Sequence, residues 1–325
     1  MAAVPHVLLC GYERGGTTLL SDIFRANGYA SGFECGVLLA ASPQDFRTLK
    51  PYWDMLPGGW SISEQVRADA ASKDFSGFYD TVCRAAFPDH QGPFFDKTPK
   101  YMERLGVVRA RAPFIDKAVV IHRDPRAVFV SMAKRLSPKL DPKAAVERNF
   151  NELTSRYLSY FLGAIAHLGS PDTLFVPFEE MVGREDAWMK VLGLFAAGRQ
   201  FTRRQKRSRF ENVTSDGMDL AKVIEFDRVL SSGLQTRILN ATRLAAPFIC
   251  DPVARVRLGD QWDDMSGRAD RILRRFDLPR TGAVVDGQLF EPFAYLLRYP
   301  DVLNAGVNPV VHFQRHGRQE RRRAA

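Results

Sequence analysis

Near its start the chain reads Val7-Leu8-Leu9-Cys10-Gly11-Tyr12-Glu13-Arg14-Gly15-Gly16-Thr17-Thr18-Leu19-Leu20-Ser21-Asp22-Ile23-Phe24. The run before Gly11 is short and apolar, which is typical of a buried parallel strand. After Thr18 the apolar residues return with the spacing of one helix face. This stretch therefore predicts a strand, a glycine-rich loop and a helix in succession.

A glycine-rich loop at the start of a helix aims backbone N–H groups at one point, where the positive end of the helix dipole also lies. Gly15 and Gly16 allow the backbone to approach an anion closely, and the hydroxyls of Thr17 and Thr18 can donate hydrogen bonds to it. Arg14 adds a positive charge. The loop predicts a site for a phosphate or another tetrahedral oxyanion. The alternative is an ordinary turn between a strand and a helix.

The loop differs from the Walker A motif of ATP- and GTP-binding proteins. Gly11 and Gly16 have the Walker spacing, but Thr17 stands where that motif has its lysine, and the cation is Arg14. The difference disfavours ATP or GTP as the ligand. A P-loop nucleotide-dependent kinase remains the alternative enzyme.

Two later stretches predict strands that end in basic residues. The first is Pro93-Phe94-Phe95-Asp96-Lys97-Thr98-Pro99-Lys100, and the second is Lys117-Ala118-Val119-Val120-Ile121-His122-Arg123-Asp124-Pro125. Asp124 can cap the next helix and Pro125 suits its first position. Ser131 then follows roughly two turns along that helix. Ligand sites form at the carboxyl ends of parallel strands, where Lys97 and Arg123 are expected to lie.

Together these motifs resemble those of the sulfotransferase family. Arg14-Gly15-Gly16-Thr17-Thr18 is similar to the family's 5′-phosphosulfate-binding loop, and Arg123 with Ser131 is similar to its 3′-phosphate motif. The resemblance extends to Phe178 and Glu179, which stand in place of the Tyr-Glu of another family segment. It implies 3′-phosphoadenosine 5′-phosphosulfate (PAPS) as the donor and 3′-phosphoadenosine 5′-phosphate (PAP) as the product.

The resemblance also implies catalytic roles. In bacterial sulfotransferases the lysine of a Lys-Thr-Pro element, here Lys97, contacts the sulfonate and the bridging oxygen. In tyrosylprotein sulfotransferases and many bacterial ones an acidic residue near the position of Glu34 resembles a general base, with Glu13 and Asp22 as competing candidates here. Arg126 is either an anion contact or a solvated first-turn residue, and we favour the solvated alternative. No metal is required.

The implied fold is α/β, a P-loop-like three-layer arrangement with a central parallel sheet flanked by helices. We expect a sulfotransferase domain over residues 1–278, followed over 279–325 by a linker and a small helical appendage with a basic tail. Leu289 to Arg322 resembles a short repeat found in bacterial enzymes of surface-glycan synthesis. His312 and His316 have the spacing of a metal pair, but no supporting glutamate or cysteine is near, so we predict structural or solvated histidines.

Three helix predictions are local. Ser42 to Gly59 predicts a loop with at most one helical turn, because it is rich in proline, glycine and aromatic residues. Ser61 to Phe87 predicts a helix that begins with a capping box from Ser61 to Glu64. Lys143 to His167 predicts one long helix.

The composition is that of a globular protein: of 325 residues, 45% are apolar and 26% charged. The first ten residues lack the basic segment and long apolar run of a signal peptide, and no stretch has the length of a membrane span, so we expect a cytoplasmic protein. Cys10, Cys35, Cys83 and Cys250 form no CxxC pair, which favours reduced structural thiols.

The net charge of +9 and the pI near 9.5 indicate an anionic partner. Charge alone does not distinguish nucleic acid, a membrane surface, an anionic glycan and a nucleotide. The basic residues cluster within 199–209 and 315–323, where a solvated loop and a flexible tail are the alternatives. We predict a nucleotide donor and no specific nucleic acid, and a peripheral membrane contact through the tail stays open.

The sequence therefore predicts a bacterial, cytoplasmic sulfotransferase that moves a sulfuryl group from PAPS to an acceptor hydroxyl. The appendage favours a glycan or glycolipid acceptor, while a lipid, a small phenol and a peptide tyrosine stay open. A non-catalytic adaptor that binds a nucleotide or a glycan is an alternative from a different class.

Overall fold

A computed structural model describes residues 3–202, 223–249 and 252–324, with the backbone alone for 252–261. The chain divides into two compact units. The first consists of Met1–Met102, Arg111–Arg123 and Ser170–Ile224, and the second of Glu103–Ala110, Asp124–Gly169 and Glu225–Ala325. The basic cluster predicted within 199–209 lies largely outside the described residues.

The first unit contains the main sheet, whose four strands in the described part of the chain are all parallel. These are β1 (Pro5–Gly11), β2 (Phe94–Lys97), β3 (Lys117–His122) and β4 (Thr173–Pro177), in the spatial order β2-β1-β3-β4. Strand β1 is central because it pairs with β2 on one side and with β3 on the other. The predicted α/β class with a parallel sheet flanked by helices is confirmed.

The helices of the described residues are mostly short. In chain order they are α1 (Thr17–Ala26), α2 (Tyr52–Trp60), α3 (Glu64–Ala70), α4 (Phe75–Ala86), α5 (Leu105–Arg111), α6 (Pro125–Leu136), α7 (Pro142–Arg148), α8 (Phe150–Ala164), α9 (Phe178–Gly183), α10 (Glu185–Ala197), α11 (Glu225–Val229), α12 (Ser232–Ala241), α13 (Pro252–Arg275), α14 (Pro292–Arg298), α15 (Pro300–Ala305) and α16 (Pro309–His312). In this part of the chain no helix has both the length and the apolar character that crossing a membrane requires.

Helix α1 covers the sheet with the apolar face that its sequence predicts. Leu20, Ile23 and Phe24 are fully buried. The ring of Phe24 makes edge contacts with Tyr29, Phe95 and Phe201 at centroid distances of 5.1, 5.8 and 5.3 Å. This packing fixes the helix, and with it the loop that precedes it, against β1 and β2.

Two of the local helix predictions are wrong in their boundaries, and the caps explain why. Residues 61–87 form α3 and α4 instead of one helix, because Asp74 accepts a hydrogen bond from Gly77 N at 2.7 Å and so starts a new helix. The cap of α3 is Ser63, which accepts from Val66 N at 3.2 Å, and not Ser61. Residues 143–167 divide into α7 and α8 at Asn149, whose side-chain amide donates to Ala145 O at 2.7 Å.

The segment from Ser42 to Gly59 is more ordered than predicted. It contains all of α2 except the last residue, Trp60, although Pro57 lies inside the helix. Leu56 and Trp60 are buried, and the Trp60 ring lies against Gly32, where a Cβ would come within 2.5 Å of it. Burial of this side chain outweighs the poor helix propensity of the proline and glycines.

The second unit has an aromatic core and includes the C-terminal residues. Phe129 of α6 contacts Phe150 and Tyr157 of α8, each at a centroid distance of 6.1 Å. The C-terminal residues begin with an antiparallel hairpin of β5 (Ala283–Val285) and β6 (Gln288–Phe290), which precedes the short helices that the sequence predicts. Independent folding of residues 1–278 stays a prediction.

Candidate active site

The glycine loop between β1 and α1 is shaped by two close approaches. Gly16 has φ 104° and ψ 9°, in the left-handed region that disfavours side chains, and a Cβ there would come within 2.7 Å of Phe178 Cδ2. A Cβ on Gly11 would collide with the carbonyl oxygen of Ile121, because β1 and β3 are adjacent. The loop therefore packs its backbone directly against its neighbours.

The start of α1 presents backbone donors. Gly16 is the N-cap residue and provides no side-chain cap, and the first turn has no acidic residue. The first N–H groups of a helix have no acceptor within the helix, and the helix dipole favours negative charge at this end. Thr17 is buried and Thr18 is half-buried at this point, so donors and the dipole converge on one place.

Arg123 is brought to this loop by the sheet order. It follows β3, and its Nη1 donates to the carbonyl oxygen of Arg14 at 3.2 Å. Its guanidinium carbon lies 4.7 Å from the centre of the Phe178 ring, and the residue is 7% exposed. The chain leaves β1 towards β2 and leaves β3 towards β4, so the carboxyl ends of β1 and β3 form a topological switch point, the usual place of ligand sites in such sheets.

Glu34 and Lys97 form an ion pair. The distance from Lys97 Nζ to Glu34 Oε1 is 3.1 Å, and the Phe33 ring centre lies 4.8 Å from the same Nζ. The side chain of Lys97 is 2% exposed and that of Glu34 is 20% exposed. The lysine is thus enclosed, while its partner stays accessible from one side.

The pKa of Glu34 is raised above its ordinary value, chiefly by burial. The charge of Lys97 and its hydrogen bond oppose this rise, whereas the negative charges of Glu13 and Asp96 add to it. A carboxylate with a raised pKa is a stronger base than an exposed one, and Lys97 favours its ionised form.

The segment that carries Glu34 reaches Lys97 by running beside β2. Ala30 N donates to Pro93 O at 2.9 Å and Phe95 N donates to Ala30 O at 3.0 Å, which makes a single parallel bridge. This bridge gives the chain after α1 the direction of β2, and Glu34 therefore lies near the carboxyl end of that strand.

The sequence of the chain matches a known protein family. The model of the sulfotransferase family matches residues 5–197, more than half of the sequence. The chain belongs to the sulfotransferase family. The matched range includes the glycine loop, Glu34, Lys97, Arg123 and Ser131.

The chain is also similar to several solved structures. The sulfotransferase domain from the Synechococcus PCC 7002 olefin synthase has a TM-score of 0.55 and 18% identity, over 75% of this chain and 95% of that one. Sulfotransferase STF1 from Mycobacterium tuberculosis H37Rv gives 0.41 and 15%, over 74% and 77%. Mouse sulfotransferase SULT7A1 complexed with PAP gives 0.45 and 13%, over 80% and 89%. A search of curated protein sequences found no match.

The other predicted site residues of the sulfotransferase lie in different surroundings. Asp22 is fully buried and pairs with Arg25 at 3.4 Å, and its role as a competing base stays a prediction. Glu13 lies in the glycine loop and is half-buried, and it stays a competing candidate for the base. Ser131 is half-buried on α6 in the second unit, and its pairing with Arg123 at one phosphate stays a prediction.

The solvated interpretation of Arg126 is wrong. The residue is 6% exposed, and its Nε and Nη2 donate to the two carboxylate oxygens of Asp124 at 3.0 and 2.7 Å. Its guanidinium carbon also lies 4.3 Å from the centre of the Phe226 ring. Asp124 caps α6 and Pro125 follows as predicted, so Arg126 completes the cap and anchors α11 in the second unit.

One further residue beside the ion pair, Asp96, was not predicted as part of the site. It lies between Phe95 and Lys97 on β2 and is fully buried. A carboxylate directly after two phenylalanines in a buried strand is the signal that could have pointed to it, because burying an ionised group without partners is costly.

Proposed function

We propose that this sulfotransferase moves the sulfuryl group of PAPS to an acceptor hydroxyl, with Glu34 as the general base and Lys97 as the stabilising cation. The observation that carries the proposal is the 3.1 Å contact between these two side chains at the carboxyl end of β2, the strand next to the glycine loop. One group to accept a proton and one to stabilise negative charge are what sulfuryl transfer requires of the protein.

The loop fits the 5′-phosphosulfate of the donor. The start of α1 has no side-chain cap, and Arg14 is the exposed cation of the loop. Such a place suits an anion because backbone N–H groups and the helix dipole act together. We assign the 5′ side of the donor to Arg14, Gly15, Gly16, Thr17 and Thr18. Arg123 and Ser131 are assigned to the 3′-phosphate.

PAPS would supply a sulfuryl group that is already attached to a good leaving phosphate. Glu34 then takes the proton of the acceptor hydroxyl as the new oxygen–sulfur bond forms. Lys97 stabilises the negative charge that appears on the bridging oxygen as the old sulfur–oxygen bond breaks. As in phosphoryl transfer, positioning and electrostatics supply most of the catalysis.

For the acceptor we propose a glycan or glycolipid hydroxyl in a bacterial cytoplasm. Support comes from the resemblance of Leu289 to Arg322 to a repeat of surface-glycan enzymes. The basic tail, with Arg315, Arg318 and Arg321, is suited to an anionic acceptor or to a membrane surface that carries one.

Ligand binding tests the donor. PAP without Mg²⁺ should raise the melting temperature, because a ligand that binds only the folded state stabilises it. ATP with Mg²⁺ should raise it much less. Stabilisation by ATP with Mg²⁺ and none by PAP would refute the proposal in favour of a kinase.

Transfer of the sulfuryl group from PAPS tests which class of molecule is the acceptor. Radiolabelled sulfate from PAPS should appear in one fraction of a lipid and glycan extract. Tight PAP binding without labelling of any fraction, and without slow release of inorganic sulfate, would indicate a non-catalytic adaptor.

A further inference from the structure

The carboxylate of Asp96 is held by three hydroxyl groups. Its Oδ1 accepts from Thr98 Oγ1 at 3.0 Å, and its Oδ2 accepts from the hydroxyls of Tyr79 and Tyr101 at 2.6 and 2.7 Å. The two tyrosines and Thr98 are, like Asp96, completely buried. These contacts satisfy a carboxylate that burial would otherwise destabilise strongly.

The same groups hold the backbone of the segment that follows Glu34. The backbone N–H of Cys35 lies close enough to the Asp96 carboxylate to lower its pKa, against the rise that burial causes. Gly36 N donates to Thr98 Oγ1 at 3.1 Å, and Leu38 N donates to the Tyr101 hydroxyl at 3.4 Å. Two backbone donors from residues 36–38 therefore end on hydroxyls that Asp96 itself binds, and Cys35 lies beside the carboxylate.

This arrangement lies directly beside the ion pair. Glu34 and Cys35 are neighbours in the chain, and so are Asp96 and Lys97. The backbone of Cys35 contacts Asp96, and the side chain of Glu34 contacts Lys97. Successive side chains of a strand point to opposite faces. The Asp96 side chain can therefore hold the backbone of residues 35–38 on one face of the strand, while Lys97 binds the Glu34 carboxylate on the other.

The segment is also held from its other side. The Tyr52 ring of α2 packs against Gly36, which has φ 75° and no room for a Cβ. Arg111 Nη1 donates to Leu38 O at 2.9 Å. The backbone of residues 35–38 is therefore fixed on both sides, and the hydrogen bonds to Asp96, Thr98 and Tyr101 set its position along β2.

We propose that Asp96, with Thr98 and Tyr101, is the positioning group that sets the separation of Glu34 and Lys97. The inference rests on the proposed function for its kinetic consequence. The structural part of the inference, that Asp96 is coupled to the Glu34–Lys97 contact, does not depend on the proposed function.

The central test uses Thr98→Val, which keeps the side-chain shape and the Asp96 charge but removes the hydroxyl that links Asp96 to Gly36. The matched control is Thr173→Val, another buried threonine of the first unit, at the start of β4, whose Oγ1 donates to Asp172 at 2.9 Å. Tyr101→Phe is the milder second variant if Thr98→Val does not fold. Asp96→Asn tests the carboxylate itself.

The first readout is kinetic and uses the extract fraction that the wild-type enzyme labels with radioactive sulfate. Thr98→Val and Asp96→Asn should lower kcat by about 10–100-fold, since a small misplacement of catalytic groups has effects of that size. The KM for PAPS and the rise in melting temperature with PAP should stay near wild-type values. Equal loss in Thr173→Val, or unchanged kcat in both site variants, would overturn the proposal.

The second readout needs no activity. NMR titration of the carbon-labelled Glu34 carboxyl, assigned with Glu34→Gln, follows its pKa. In Thr98→Val the pKa should differ from that of the wild type, because burial raises it, Lys97 lowers it, and both effects depend on where the segment holds Glu34. An unchanged Glu34 titration in Thr98→Val and Tyr101→Phe would overturn the proposal. If wild-type protein binds no PAP, the function fails while this titration still decides the positioning role.

Discussion

Glu291 gives the protein a pH-dependent stability that can be measured. The residue precedes α14 in the second unit and is 4% exposed, with its carboxylate packed against Gly106 of α5. Burial raises the pKa of Glu291 from its ordinary value of 4.5 to about 7, and the nearby N–H of Gly282 opposes only part of that rise. The folded protein therefore binds a proton at this site that the unfolded chain releases at lower pH.

The sign and size of the change in stability with pH follow from the linkage between protonation and folding. Because the folded pKa is the higher one, the stability contributed by the protonated form is complete below about pH 4.5 and is lost as pH rises to about 7. Each pKa unit corresponds to about 1.4 kcal/mol, so the loss is about 3 kcal/mol in the free energy of unfolding. Glu291→Gln, which keeps the shape without the charge, should be more stable than wild type by up to about this amount at pH 8 and similar to it near pH 4.

Urea unfolding of both proteins across this pH range measures the difference. Glu152→Gln on α8 is the control, because it makes the same substitution at an exposed carboxylate instead of a buried one. A difference between wild type and Glu291→Gln that is the same at pH 5 and pH 8 would refute the reasoning, since a group that does not titrate between those values cannot produce the slope.

Four further predictions concern the site and the C-terminal residues. Glu34→Gln should keep PAP affinity and lower turnover by roughly 10²–10⁴-fold, as measured by sulfate transfer. Lys97→Ala should lower turnover comparably with a smaller loss in nucleotide binding, which calorimetry with PAP checks. Arg123→Ala should chiefly weaken PAP binding, by roughly 2–5 kcal/mol, because it removes a buried charge from a phosphate; unchanged affinity would contradict its assignment. Truncation after residue 278 should leave a folded domain that still binds PAP, with a lower melting temperature because the buried side chains of α14 are removed; loss of soluble expression or of PAP binding would contradict an independent domain over residues 1–278.

The parts of the fold that the sequence predicted are those set by local chemistry. An apolar run, closely spaced glycines and an apolar helix face lie next to one another in the chain, so β1, the loop and α1 could be predicted without knowledge of the rest. The cap at Asp124 and Pro125 is local in the same sense, and the structure confirms it. The proposed roles of Glu34 and Lys97 came from resemblance to the family.

Burial that depends on distant residues was not predictable. Arg126 looked like a solvated first-turn residue because Phe226, whose ring it contacts, lies far along the chain. Helix α2 was missed because Pro57 and its glycines disfavour a helix, while its stability comes from Trp60 against Gly32. Asp96 had no visible partner in the sequence, since the bridge between Ala30 and Phe94 that brings Cys35 to it joins segments that no local pattern connects.

The register of the sheet explains why Lys97 and Arg123, two residues of the proposed site, lie at different depths. On one side of β1, Lys97 pairs with Leu9, and on the other side Ile121 pairs with Gly11, with Arg123 still further along. Lys97 is therefore enclosed at 2% exposure, beneath the level of the glycine loop, whereas Arg123 lies at the level of Arg14. A slip of β2 by one residue would turn Lys97 to the opposite face and put Asp96 or Thr98 in its place. The hydrogen bonds that Asp96 accepts from Tyr79, which precedes this strand, and from Thr98 and Tyr101, which follow it, oppose such a slip. The group that would position the base therefore also fixes the register that places the lysine.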